Sequence, residues 1–389
     1  MASIGIIGAG HVGCALAFDL ASRGHNVVIR APEGHPGSTA KIKANGGNID
    51  ATGLLSGRVR VCVGNGLTQL TETILIVAVP GPGHDPIIRE LRQHDLSNKI
   101  IIFIAGNAVT FTARAALQGE AKAVLATATS PFSSRISGDG SVSVRGIKKR
   151  LQICVLSTEG LASPQESDEV DQELSAQLGV DHVFPMPLLW SASALDIFLT
   201  SVNGVMHVPT ALMNLGWIET TNGDFLFYRH GMSQGVCRIM EALDQERLAV
   251  AAAYDCRIDS ALATMNAHYG TEEVTLRDFV AKSTPHNKTK GVQKRFLEQD
   301  VPYWLVLCSD LGARAGVPTP SIDSLITLAS TLSGKDYRKT GITLGSLGLG
   351  TATRHEVYQA FRARSWCSSP PQSSPSPSSS LSSSGISGC

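Results

Sequence analysis

Two short stretches in the second half of the chain carry the residue types that acid–base chemistry needs. Ser201-Val202-Asn203-Gly204-Val205-Met206-His207 is a polar insertion in an apolar stretch, and its Asn203 and His207, four apart, share one helical face. Arg295-Phe296-Leu297-Glu298-Gln299-Asp300 sets a guanidinium and a carboxylate in one run. A histidine, with an ordinary pKa near ~6.5, donates and regains a proton around neutrality, and an arginine can hold a substrate carboxylate. Each residue also has a plainer reading. A histidine in such a place is commonly a satisfied core or surface side chain. Asp300, just before Val301-Pro302, has the position of a helix N-cap, and Arg295, near Lys288, Lys290 and Lys294, that of a solvated charge.

A third constellation lies at the start of the chain. Gly8-Ala9-Gly10-His11-Val12-Gly13 follows the apolar Ile4-Gly5-Ile6-Ile7 and opens a helix-compatible stretch that Gly24 closes. A strand, this glycine loop and a helix together make a dinucleotide cradle. Gly8 permits the tight turn, Gly10 lets a pyrophosphate approach the backbone, and Gly13 lets helix and strand pack closely. The free N–H groups at the helix start then face the phosphates. At the end of the second strand an acidic residue about 20 positions on usually grips the ribose of NAD. Here Val27-Val28-Ile29 leads into Arg30, which suits the 2′-phosphate of NADP. NADP is therefore the expected cofactor and NAD the alternative, with Arg30 pointing to solvent and Glu33 touching the ribose. Val77-Ala78-Val79-Pro80-Gly81 ends a further strand in small residues, a place for a nicotinamide or ribose, which makes Pro80 a cofactor-site candidate.

The elements that must position these groups fall into two zones. Short β-rich runs alternate with helical stretches from Ser3 to about Met186: Ile4–Ile7, Val27–Arg30, Arg58–Val63, Ile74–Val79 and Ile100–Ile104, then runs near Val124–Ala128, Ser141–Arg145, Leu151–Leu156 and His182–Phe184 extending the same sheet. This is the pattern of an α/β Rossmann-type doubly wound parallel sheet. Beyond Pro187 the spacing turns helical over Ala192–Leu215, Val236–Tyr254, Val301–Ala315 and Ser321–Leu332, which predicts an all-α domain. The expected division is residues 1–188 for the dinucleotide-binding domain, 189–365 for the helical substrate domain, and a disordered Ser/Pro-rich tail over 366–389.

Composition narrows the class. At 389 residues the chain is long enough for two cores, and its 33 basic and 33 acidic residues cancel, which argues against a nucleic-acid partner. The eight cysteines are scattered without ligand-pair spacing, so neither a metal site nor a disulfide framework is expected. No apolar run reaches the ~18 residues a spanning helix needs, and no membrane partner is expected. The chain opens directly on strand-like Ser3–Ile7 with no room for a leader segment, so a cytoplasmic location is the expectation.

Taken in order, these features resemble the octopine/nopaline dehydrogenases, or opine dehydrogenases. The likeness is carried by Asn203 to Asn214, Phe227-Tyr228 to Gly231, Asp244-Gln245-Glu246-Arg247, Arg295 to Val301 and Val317-Pro318-Thr319-Pro320-Ser321-Ile322-Asp323, with Asp336 to Lys339 and Leu344 to Leu349 closing it. The resemblance implies reductive condensation of an amino acid or other amine with a 2-oxo acid, through an imine, at the expense of NADPH or NADH. It implies His207 as the catalytic histidine, Asp300 as its partner and Arg295 as the carboxylate anchor, with small-molecule substrates and room for a homodimer. Three positions depart from the family pattern. Val208 separates His207 from Pro209, His230 stands where Glu is common and so becomes a substrate-site candidate beside Asn203, and a small residue replaces Glu in Ala126 to Arg135. Two competing readings are a 3-hydroxy acid or ketopantoate-type reductase and a catalytically silent NADP-binding partner protein. The absence of lysine between Lys149 and Lys282 opposes the first of them, which places a catalytic lysine early in its second domain.

Overall fold

The computed structural model describes residues 2–137, 141–158, 168–290 and 294–362, so the expected tail over 366–389 lies outside the described residues. Its strands are β1 (Ser3–Ile7), β2 (Asn26–Arg30), β3 (Asn48–Gly53), β4 (Gly57–Arg60), β5 (Cys62–Val63), β6 (Ile74–Val77), β7 (Ile100–Phe103), β8 (Ala123–Thr127), β9 (Phe132–Ile136), β10 (Val142–Ile147), β11 (Leu151–Thr158) and β12 (Leu188–Ser191). Eight of them form one sheet in the order β12-β11-β8-β7-β6-β1-β2-β5. All its pairings are parallel except β11 against β8. β6 and β7 read Ile-Leu-Ile-Val and Ile-Ile-Ile-Phe and are buried throughout, as strands covered on both faces must be.

The chain leaves β1 for β2 on one side and returns to β6 on the other. That reversal opens a crevice at the carboxyl ends of β1 and β6, where open α/β sheets bind their ligands.

A second, four-stranded sheet, β4-β3-β10-β9, lies against the helix His11–Ser22. The single sheet expected from the sequence is corrected here. The run Arg58–Val63 splits at Val61, sending β4 to the small sheet and β5 to the large one, and β10 pairs with β3 and β9 rather than extending the large sheet. His182–Phe184 is a turn, whose carbonyls at His182 and Val183 accept from the Arg23 guanidinium. The strand that does form is β12, two residues past Met186, parallel to β11; the domain border expected after residue 188 falls inside it.

Past β12 all the long elements are helical. The expected Ala192–Leu215 stretch is two helices, Ala194–Thr200 and Asn203–Met213, and the others are Gln234–Ala253, Val306–Ala315 and Pro320–Ser333. One apolar core joins the two zones. It runs from Ile7, Val77 and Phe103 in the sheet through Phe198 and Val205 to Trp304 and Phe361. The opposite face of the sheet packs on the helix His11–Ser22 and the small sheet. Among the described residues no helix is long and apolar enough to cross a membrane.

Candidate active site

The helix Asn203–Met213 carries His207 at its centre, and Gly204 decides what can lie against it. A Cβ on Gly204 would stand 2.3 Å from Trp304 Cε3, so only glycine lets the indole rest on this helix. Trp304 is fixed from behind by its Nε1–H, which donates to the Phe198 carbonyl at 3.0 Å. It belongs to a single wide π-type turn, Val301–Leu305, that follows the helix Lys294–Asp300 directly. Such turns accumulate at functional sites because they re-aim a side chain. Asp300 is in helical geometry at this junction and makes no capping bond, so the N-cap reading does not hold.

Its carboxylate instead lies 2.8 Å from His207 Nδ1 and is 4% exposed. A buried carboxylate that only accepts fixes Nδ1 as the donor, which leaves the Nε2 lone pair to accept from Tyr228 Oη at 2.8 Å. Phe296 stacks on the imidazole with ring centres 4.1 Å apart. The ring is thus set in position, plane and tautomer by three neighbours.

His207 and Asn203 line a cleft of about 480 Å³ whose other wall is Ala9, Gly10, His11 and Val12 of the glycine loop, with Pro80 after β6. The two constellations, far apart in sequence, meet across the crevice. Gly8 holds φ at +116° and its Cβ would lie 2.5 Å from the Ala78 carbonyl oxygen; one on Gly13 would lie 1.8 Å from the Gly8 carbonyl oxygen. Gly10 has open space around it. Glycine is therefore required for packing at two positions, while the third leaves the backbone open to the cleft. With the helix His11–Ser22 starting there, the loop fits the pyrophosphate of a dinucleotide. His11 also ties the loop to β9, its carbonyl accepting from Ser134 Oγ at 2.9 Å and its Nδ1 from the Ile136 amide at 3.0 Å.

Two candidates are elsewhere. Arg30 is 5% exposed, and its guanidinium turns inward to Glu72 at 2.9 Å and to the carbonyls of Gly66, Thr68 and Gln69. No donor is left for a 2′-phosphate, so the case for NADP from Arg30 fails. Glu33 is exposed and outside the cleft, which Gly37 and Ser38 reach instead. His230 is exposed too, stacked on Trp217 with centres 5.9 Å apart, and does not line the cleft; Tyr228, two residues earlier, does. The Arg295 side chain lies outside the described residues, while Phe296 and Gln299 of the same helix reach the cleft.

Several lining groups escape a reading of the sequence. His286 presents its ring to the Tyr228 ring at 4.9 Å, and burial pushes its pKa down to about 3. Tyr269 is pushed up to about 12 by burial. Lys148, one residue past the end of β10, is buried, and desolvation lowers its amine to about 7. Tyr228 lies in the segment Phe227 to Gly231, where the sequence singled out His230 instead, and the run Lys148-Lys149-Arg150 carried no signal. No group of three or more histidines, cysteines or carboxylates able to hold a metal ion occurs among the described residues.

Comparison with known proteins agrees with this architecture. Residues 190–333 match the family model described as NAD/NADP octopine/nopaline dehydrogenase, alpha-helical domain, and residues 3–107 match one described as NADP oxidoreductase coenzyme F420-dependent. D-nopaline dehydrogenase of Agrobacterium tumefaciens (strain T37) is 29% identical over 371 residues, 86% of each chain. Opine dehydrogenase of Arthrobacter sp. (strain 1C) is 27% identical over 302 residues, 76% of this chain and 80% of that one. Octopine dehydrogenase solved with NADH and agmatine superposes with a TM-score of 0.68 at 18% identity, covering 92% of this chain and 98% of its own, which is a likeness of fold. The helical-domain match and the dehydrogenase relatives together make this chain similar to the octopine/nopaline, or opine, dehydrogenases and mark it as an NAD(P)-dependent oxidoreductase.

Proposed function

We propose that the chain joins an amine to a 2-oxo acid by reductive condensation, with His207 as the acid–base group. The observation that carries this reading is the His207 imidazole, backed by Asp300 and facing the glycine-loop wall across one cleft. The loop residues Gly8 to Gly13 would hold the dinucleotide, which when bound supplies the hydride. Arg30 gives no ground for preferring the phosphorylated form, and the reading holds for NADPH and NADH alike.

The rest follows from the chain's own groups. Asp300 keeps the Nδ1 proton in place, so Nε2 is the atom that exchanges protons with substrate. It takes one from the amine as the C–N bond forms and returns one to the departing hydroxyl, so that water leaves and the nitrogen keeps its proton as an iminium; hydride addition to the iminium carbon then gives the secondary amine. Tyr228, bonded to Nε2, fills that site until substrate arrives. Arg295 would hold the oxo acid's carboxylate; its backbone stands one turn before Gln299, a cleft residue. Asn203, one turn before His207, would orient the same substrate.

The test is isotopic. With cofactor deuterated at C4 of the nicotinamide, the product should have the mass of amine plus oxo acid less water, plus one deuterium and one hydrogen, with the deuterium on the new C–H. A deuterated 2-hydroxy acid, formed whether or not amine is present, would favour the keto-acid reductase reading instead. Tight cofactor binding with no product from any pair would favour the silent partner protein.

A further inference from the structure

The wall of the cleft that faces away from Asp300 has a charge character of its own. From the Nε2 side of His207 the contacts pass to Tyr228, then to the edge-on ring of His286, and the charge on Lys148 acts on His286. Lys148 Nζ donates to Thr129 Oγ1, just past the end of β8, and Arg135 on β9 lines the same space. Lys148 is 8% exposed, and none of the ion pairs among the described residues includes it. No aspartate or glutamate is among the described residues that line the cleft. A lysine buried without a counter-charge is costly, and its amine, lowered to about 7, shows that cost. An anionic guest removes it.

Resting on the opine-type reading above, we propose that Lys148 anchors a carboxylate of the amino partner, so that this substrate is an amino acid with a neutral or acidic side chain and not a cationic one. The helix Lys294–Asp300, on the Nδ1 side of His207, is left to the oxo acid, and the Lys148 wall, on the Nε2 side, to the amine that must meet it. A guanidinium or ammonium side chain would enter a space that offers it Arg135, Lys148 and no carboxylate among the described residues.

The test compares alanine, glutamate, arginine and the carboxylate-free propylamine as amino partners, at fixed 2-oxo acid and NAD(P)H, in wild type, Lys148→Met and Lys148→Arg. Losing a charge-assisted bond to a carboxylate should raise the amino acid's KM about 10- to 100-fold in Lys148→Met. The oxo acid's KM, the Kd for NAD(P)H and the kinetics with propylamine should stay within about twofold, and Lys148→Arg should recover most of the loss. A raised KM for both alanine and glutamate assigns the α-carboxylate; one for glutamate alone assigns the side-chain carboxylate. Arginine as the preferred partner of the wild type would overturn the proposal, as would an unmoved amino acid KM in Lys148→Met or a shift confined to the oxo acid. Wild-type turnover with an unmoved KM sinks this proposal alone. No product from any pair sinks the functional reading and this proposal with it.

Discussion

At the scale of single residues the site depends on a histidine held from both ends. Replacing His207 with alanine removes the atom proposed to exchange protons and should lower kcat by about 10²- to 10⁴-fold, with NAD(P)H affinity unchanged by fluorescence titration. Asp300→Asn should cost a comparable factor, because an amide can donate to Nδ1 and stabilise the wrong tautomer. Tyr228→Phe, which removes only the partner of Nε2, should cost less than either. Arg30 makes the opposite prediction. Its pair with Glu72 is buried on both sides, at 6% and 0% side-chain exposure, so Arg30→Gln strands a carboxylate in the core. Urea unfolding should show a loss of about 3–5 kcal/mol, with the ratio of NADPH to NADH affinity unmoved. These pairs also show where sequence reading stops. His207 and Asp300 are 93 positions apart, and Arg30 and Glu72 are 42 apart. Residue type and local spacing picked out both members of the first pair as chemical candidates. They gave no sign of the second, because nothing near Arg30 in sequence shows that its guanidinium turns inward.

At the scale of elements, the glycine loop separates packing from binding. Gly13→Ala drives a methyl into the Gly8 carbonyl and should lower the melting temperature. Gly10→Ala meets nothing within the protein and should leave the melting temperature alone, while weakening NAD(P)H binding by crowding the pyrophosphate. Gly204→Ala should separate the Asn203–Met213 helix from Trp304 and so lower kcat through a looser His207–Asp300 contact. The first two roles are legible in the Gly8 to Gly13 spacing. The third is not, since only the fold brings Trp304 to Gly204. The strands divide the same way. β6 and β7 are nearly continuous apolar runs and announce themselves. β3 and β9, Asn-Ile-Asp-Ala-Thr-Gly and Phe-Ser-Ser-Arg-Ile, belong to a small sheet with partly exposed faces and have too few apolar residues to declare a strand.

At the scale of the molecule, one core passes from the sheet into the helical zone, so a chain cut after residue 191 would expose Ile7, Val77 and Phe103 along with the rest of that face. Such a fragment should bind the dye ANS and aggregate, while the full chain unfolds in one transition. Acid should unfold the protein through its buried histidines. Burial lowers His84 to about 4, His286 to about 3 and His268 to about 2, so the unfolded chain binds protons from pH ~6.5 downward that the folded chain refuses. Stability is thus full above pH ~6.5 and should fall below it by about 1.4 kcal/mol per pH unit for each of them, before the carboxylates titrate. The central claim is that His207 drives a condensation that needs both substrates. The most direct measurement is the initial rate of NAD(P)H oxidation by the full chain and by His207→Ala, with a 2-oxo acid alone and then with amino acids added. The account predicts that the wild type is near background until an amino acid is present and that His207→Ala stays there throughout; equal rates with and without amine, or an unimpaired His207→Ala, would contradict it.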